Sequence, residues 1–266
     1  MTDREMIHPT AIVADGATIG ENVRIGAYAV ISDGVTIGDG SEIGSHTLIE
    51  GDTTIGRNNR IFSHAVIGSI PQDLKFHNEP VRLEIGDDNI IREFTLINPG
   101  TEGGGSLTSI GNGNLLMGYV HIAHDVHIGN RCILANAATL AGHVELGDGV
   151  VIGGLTAIHQ FVHIGNLAMV AGASALGKDV PPYCLAEGNR ASLRGLNLTG
   201  LRRNIPREEI DRIKEAYRII FEEPGSIMEK SEKLLEESDN LHIREMCRFI
   251  ISSKRGIPFK RKKDVK

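Results

Sequence analysis

The chain has 266 residues, 41% of them hydrophobic but only 4% aromatic and none tryptophan, with 28 basic against 34 acidic side chains for a net charge of −6. That length supports a large core, and no apolar run reaches the roughly 20 residues a membrane-spanning helix requires, so neither membrane insertion nor a nucleic-acid partner is expected. Cys132, Cys184 and Cys247 are scattered and odd in number, which fits neither a disulfide framework nor a zinc spacing and predicts a reducing, cytoplasmic setting.

From Ile7 an aliphatic residue recurs at every sixth position, through Val13, Ile19 and Ile25 to Ile67. The period resumes in phase at Ile85, Ile91 and Ile97, slips by one residue through Gly103–Gly105, and runs again from Ile110 to Leu176. All 26 such positions hold Ile, Val or Leu. A period of six belongs to neither a helix nor a simple strand; it marks a parallel β-helix of hexapeptide turns. Three hexads close a triangular coil, so the same position 18 residues later stacks one strand spacing, about 4.8 Å, away. The Gly-Asp/Asn-Gly runs behind the aliphatics, such as Gly38-Asp39-Gly40, are read as suppliers of the backbone angles that tight corners demand.

Two segments interrupt the repeat, one near 70–84 and one near 100–107, and loops thrown out of a solenoid often carry function. The first includes Gln72, Asp73, Lys75 and His77; the second is Thr101-Glu-Gly-Gly-Gly-Ser106. The repeat stops at Pro181-Pro182, and beyond Leu193 the periodicity becomes helical. Pro206 opens one helix with Ile210, Ile213, Tyr217, Ile220 and Phe221 as its stripe; a second is expected over 226–236; a third begins near Asp239 with Leu241, Ile243, Met246, Phe249 and Ile250 inward. Such a segment covers the last coil, whose bare edge would otherwise recruit other chains. The predicted fold is thus all-β, a left-handed parallel β-helix (triangular prism) over 1–188 followed by a C-terminal α-helical domain over 189–266. Charge divides the same way: residues 189–266 hold 19 Lys and Arg against 13 Asp and Glu, ending in Lys260-Arg261-Lys262-Lys263. This basic end is either a solvated face or a docking surface for an acidic partner.

Six of the 11 histidines, His121, His124, His127, His143, His159 and His163, fall within 43 residues of chain. Steps of 18 stack His124, Gly142 and Gln160 on consecutive coils, with His143 and His159 one residue off that column. A neutral imidazole suits proton abstraction near neutral pH, and a glycine N–H one coil away can hold an oxyanion. Asp125 can orient the His124 ring only if the two share a corner, because adjacent strand residues face opposite ways. Solvent-facing corner histidines and a zinc site are the competing readings of the cluster.

The stretch Tyr119-Val-His121-Ile-Ala-His124-Asp125, with Leu140-Ala-Gly-His143 and Gly153-Gly-Leu-Thr-Ala-Ile-His159-Gln160, resembles the acyl-ACP–UDP-N-acetylglucosamine O-acyltransferases that open lipid A synthesis. Pro71-Gln-Asp-Leu-Lys75, Glu187-Gly-Asn-Arg-Ala191, Gly195-Leu-Asn197 and Gly200-Leu-Arg-Arg203 carry the resemblance over nearly the whole chain. It implies a cofactor-independent, metal-independent transfer of a (3R)-3-hydroxyacyl chain from acyl carrier protein to the 3-hydroxyl of the UDP-sugar. His124 would be the base, Asp125 its support and the Gly142 N–H the oxyanion donor. Gln72, Asp73, Lys75, His121, His143, His159 and Gln160 would hold substrate, with Asn197 and Arg203 on the UDP moiety and Met169 and Gly172 setting acyl length. The family is homotrimeric, each cleft lies between two prisms, and the basic tail would dock the carrier protein. Many relatives have His-Arg where this chain has Asn98-Pro99, and Arg where it has Asn204; some relatives take an acceptor amine at position 3, so hydroxyl and amine both stand as acceptors. The rival functions are a later N-acyltransferase, a zinc-dependent β-helical carbonic anhydrase and a silent scaffold.

Overall fold

Each hexad folds as a two-residue strand and a turn, its second strand residue buried and its first facing out. The computed structural model describes residues 6–259; the basic run at 260–263 lies outside them. Strands pair in parallel at the 18-residue step, Ile12 with Val30 and Val13 with Ile31. The result is three sheets of nine, eight and ten strands forming the faces of one left-handed prism. We call them the first face (Ile12–Val13 to Ala175–Leu176), the second face (Thr18–Ile19 to His163–Ile164) and the third face (Arg24–Ile25 to Ser192–Leu196). The inward aliphatics form one continuous core, each burial contributing about 1.5–3 kcal/mol.

The corners meet the sequence expectation at Gly40 and Gly149, with φ of 69° and 65°, and depart from it at most other coils. The left-handed residue is the third after each aliphatic, and it is usually not glycine: Tyr28, His46, Phe94, Asp125, His143, Leu155 and Phe161 all have φ between 56° and 63°. Such a conformation costs an L-residue about 1–2 kcal/mol. Its return is a hydrogen bond that carries the ladder round the corner, as when the His46 N–H donates to the Ala27 carbonyl (2.9 Å) and the Leu155 N–H to that of Asn136 (2.9 Å). The glycine directly behind the aliphatic answers to close approach instead: a Cβ on Gly38 would sit 2.7 Å from the Gly56 carbonyl oxygen.

Both interruptions are loops pushed out of single coils. Val66 pairs with Leu96, a step of 30, and Leu96 with His121, a step of 25, so the insertions are 12 and seven residues against the usual 18. Both leave near the junction of the first and second faces and converge there.

After the last coil, Cys184–Glu187 extends the third face in parallel, and Ser192–Leu196 returns antiparallel to it. Four helices follow: α1 (Leu198–Asn204), α2 (Arg207–Tyr217, running into a π-turn over Arg218–Glu222), α3 (Ile227–Glu237) and α4 (Leu241–Ser252). The strand return and α1 are absent from the sequence reading, and Pro206 caps α2 rather than opening it. Leu241 is 81% exposed, a correction: it is the first residue of α4, where the inward stripe has not begun, whereas Met246 and Ile250 are buried. The helices latch onto the prism through polar contacts. Tyr183 donates its hydroxyl to Glu245, Asn166 donates to the other Glu245 oxygen (2.6 Å), and Ser253 donates to Asp179 (2.6 Å).

Candidate active site

The junction of the first and second faces gathers the ionisable groups. His124 and Asp125 occupy a turn between the strands His121–Ile122 and His127–Ile128. The positive φ of Asp125 (58°) turns its side chain back onto its neighbour. Asp125 Oδ2 lies 2.8 Å from His124 Nδ1. This meets the corner condition that the pairing required.

Asp125 is only 2% exposed and is held from the second insertion. Thr101 donates its N–H to Oδ1 (2.8 Å) and its hydroxyl to Oδ2 (2.6 Å). The Asp125 N–H donates to Thr108 Oγ1 (2.8 Å), so a hydroxyl takes the place that a backbone carbonyl fills at most other corners, as Thr10 does for Tyr28. Burial pushes the Asp125 carboxyl up, but hydrogen bonds from His124 and Thr101, with His143 nearby, outweigh it and hold the group below the usual carboxylate range.

One coil away, the His124 ring lies against the Gly142 α-carbon. A Cβ on Gly142 would be 2.5 Å from His124 Cε1 and 2.7 Å from Nε2. The predicted stacking of these two residues therefore holds. Among the described residues no acceptor takes the Gly142 N–H. His143 meets His124 edge-to-face, with ring centroids 5.0 Å apart, and stacks on Phe161 at 4.3 Å. Its Nδ1 is 3.8 Å from Asp125 Oδ2. Burial lowers the pKa of His143, partly countered by Asp125. His121 is also lowered by burial, and its Nδ1 is buried without a partner.

The first insertion closes the site from above. Asp73 Oδ2 reaches to 3.9 Å from His124 Nε2, the nitrogen that Asp125 leaves free. The loop is anchored by the amide of Asn98, which donates to the carbonyls of Ser69 (2.9 Å) and Ile70 (3.1 Å) while its own Oδ1 is buried without a partner. An imidazole with one nitrogen fixed to a carboxylate and the other without a hydrogen-bond partner, facing Asp73 at 3.9 Å, is arranged to accept a proton. The donor atoms of His124, Asp125 and His143 lie within 4.8 Å of one another, close enough to hold a metal ion, although Asp125 is already engaged by Thr101.

Comparison with known proteins decides between these chemistries. Residues 179–258 match the family model described as Udp N-acetylglucosamine O-acyltransferase, domain 2, and residues 6–33, 16–51 and 107–142 match the bacterial transferase hexapeptide model. The acyl-[acyl-carrier-protein]–UDP-N-acetylglucosamine O-acyltransferase of Sulfurovum sp. is 66% identical over 96% of this chain and 98% of its own. That of Sulfurimonas denitrificans is 65% identical over the same shares. The solved structure of the Campylobacter jejuni UDP-N-acetylglucosamine acyltransferase superposes with a TM-score of 0.92 at 49% identity, covering 96% of this chain and all of that one. The chain belongs to the UDP-N-acetylglucosamine O-acyltransferase family.

It is an acyltransferase on the β-helix expected, and these likenesses favour acyl transfer over the carbonic anhydrase reading. The predicted residues of this acyltransferase divide among the three edges of its prism. Asp73, His121, His124, Asp125, Gly142 and His143 gather at the junction of the first and second faces. His159 and Gln160 lie below them on the same edge and are exposed, as are Gln72 and Lys75 on the first insertion. Asn197 stands at the junction of the second and third faces, where its Nδ2 donates to the Leu167 carbonyl (2.9 Å) and its Oδ1 caps α1 through the Gly200 N–H (3.0 Å). Arg203 projects from α1 as an exposed side chain. Met169 lies on the third face, and Gly172 at the edge between the third and first faces. Within one chain the expected base and the expected uridine and acyl contacts thus stand on different edges. Thr101, Thr108 and Phe161 take part in the geometry without having been singled out as site residues. The signal for the two threonines was the break in the six-residue period, which locates the insertions but does not say where they fold back, and that for Phe161 was its place 18 residues after His143.

Proposed function

We propose that this enzyme transfers a (3R)-3-hydroxyacyl chain from acyl carrier protein to the 3-hydroxyl of UDP-N-acetylglucosamine, the opening step of lipid A biosynthesis. The observation that carries the reading is the line Asp125–His124–Gly142. Asp125 accepts from Nδ1–H and leaves Nε2 with its lone pair toward the cleft, where Asp73 also faces. Nε2 removes the proton of the sugar hydroxyl as its oxygen attacks the thioester carbonyl. The Gly142 N–H, free of an internal acceptor, donates to the oxyanion. Collapse expels the pantetheine thiolate, whose intrinsic pKa of about 8.5 makes it a good leaving group, and the imidazolium returns the proton.

The separation of residues among three edges supports a homotrimeric enzyme with clefts between prisms. A second observation favours the same assembly. On the third face the outward column begins with Arg24, Glu42 and Arg60 and then runs through Ile90, Leu115, Ile133, Val151 and Met169, apolar over these last coils where solvent is expected. The equivalent column on the second face is Glu84, Ser109, His127, Glu145 and His163. An outward apolar column needs a cover, which a neighbouring prism and an acyl chain running past Met169 and Gly172 would supply. Asn197 and Arg203 of that neighbour would then reach the UDP moiety. The basic tail remains our candidate surface for the acidic carrier protein, and the cytoplasm our assignment of place. Among the described residues no helix is long and apolar enough to cross a membrane.

The test is direct. Purified protein is incubated with 3-hydroxyacyl-carrier protein and either UDP-N-acetylglucosamine or its 3-amino analogue. A mass gain of one hydroxyacyl group on the first acceptor is expected. A gain on the amine alone would reassign the acceptor and point to the Asn98–Pro99 region, and no gain on either would reject the reading.

A further inference from the structure

The second insertion interrupts an otherwise unbroken coil for seven residues, and its ends close on one carboxylate. We propose that Thr101 and Gly104 are positioning residues that aim Asp125 at His124 and away from His143, so that the second insertion selects the working tautomer of the base. This rests on the reading of His124 as the base.

Both imidazoles approach the same oxygen. Asp125 Oδ2 is 2.8 Å from His124 Nδ1 and 3.8 Å from His143 Nδ1. A free carboxylate on a short side chain would rotate between them. Thr101 prevents this with two donors in one residue, N–H to Oδ1 and O–H to Oδ2, which fix the plane of the group. Gly104 closes the remaining side: a Cβ there would lie 2.0 Å from the Asp125 carboxyl carbon and 2.2–2.3 Å from both oxygens. Nothing larger than hydrogen fits without turning the carboxylate. Thr108, where the chain re-enters the coil, fixes the backbone of Asp125 from the other end. The charged and titratable groups that face this carboxylate are His124 and His143, with Asp73 beyond His124 and His127 beyond His143.

Removing the Thr101 hydroxyl frees the carboxylate to swing toward His143. His124 then spends time in the wrong orientation. The experiment compares wild type, Thr101→Val, Thr101→Ser, Gly104→Ala and His124→Ala, with melting temperature read on each. Kinetics are measured against acyl-carrier protein and UDP-N-acetylglucosamine. Thr101→Val should lower kcat about 10- to 100-fold with both KM values little changed. Thr101→Ser should restore kcat. Gly104→Ala should reproduce the loss without deleting a hydrogen bond, and it carries the test if the valine variant does not fold. A folded Thr101→Val enzyme with wild-type kcat, or a loss confined to KM, overturns the positioning role while an inactive His124→Ala leaves the base in place. An active His124→Ala overturns both.

Discussion

The imidazole of His124 rests on the α-carbon of Gly142, so close that a Cβ at 142 would fall 2.5 Å from the ring. In the proposed mechanism this position serves two needs, room for the base and a backbone N–H without an internal acceptor. Gly142→Ala should displace the ring and block the donor together. We expect a loss of about 100- to 1,000-fold in kcat with a small change in melting temperature, because the atoms nearest an added methyl are those of the His124 ring rather than of the prism core. Steady-state kinetics beside a thermal melt check this; an active alanine variant would remove Gly142 from the oxyanion site.

In the proposed mechanism Asp125 accepts from His124 and does not itself take the substrate proton. Asp125→Asn keeps the shape but offers an amide where a carboxylate stood, so the His124 tautomer is no longer imposed. A fall of about 100- to 10,000-fold in kcat is expected, with KM for the UDP-sugar nearly unchanged. A large rise in KM instead would make Asp125 a substrate ligand.

Acid should destabilise the protein in two steps. His121 and His143 have pKa values lowered by burial, so the unfolded chain binds more protons than the native one once pH drops below about 6.5. Their contribution is complete above that pH and is lost as pH falls toward the lowered values. Asp125 is held below the usual carboxylate range, so its contribution is present above about pH 4 and lost only as pH falls through its lowered native value. Melting temperature against pH should show both limbs. His121→Gln combined with His143→Gln should flatten the upper limb and leave the lower one; an unchanged upper limb would show that these rings do not titrate on unfolding.

The outward apolar column of the third face predicts assembly. Ile133→Glu with Val151→Glu places two carboxylates on it, outside the prism core that Leu134 and Ile152 fill. Each chain should keep its β-helix by circular dichroism while sedimentation shows monomers, and activity should be lost with the trimer. A doubly substituted protein that stays trimeric would place the interface on another face.

How far the sequence could be read depended on whether a feature was periodic. The inward aliphatics, the 18-residue register and the stacking of His124 on Gly142 all follow from one repeat, and the structure keeps them. The pairing of His124 with Asp125 hung on whether a corner fell between two strands, which the same period implied. What the repeat could not reveal was anything that breaks it. Thr101 and Thr108 reach Asp125 because a seven-residue loop folds back on its own exit, and no local pattern encodes that return. The bulky left-handed corner residues were also missed. Position three after the aliphatic holds Tyr, His, Phe, Leu, Ala or Arg as well as the Gly, Asn and Asp expected there, because a backbone hydrogen bond rather than residue type maintains the turn. Leu241 was placed inward on spacing alone, although a helix's first residue need not share the stripe of its later turns.

The decisive measurement is single-turnover acyl transfer by a folded His124→Ala enzyme, with 3-hydroxyacyl-carrier protein and saturating UDP-N-acetylglucosamine. Transfer should fall by about 100- to 10,000-fold while the UDP-sugar still binds. Transfer at the wild-type rate would contradict this and leave the β-helix without its proposed base.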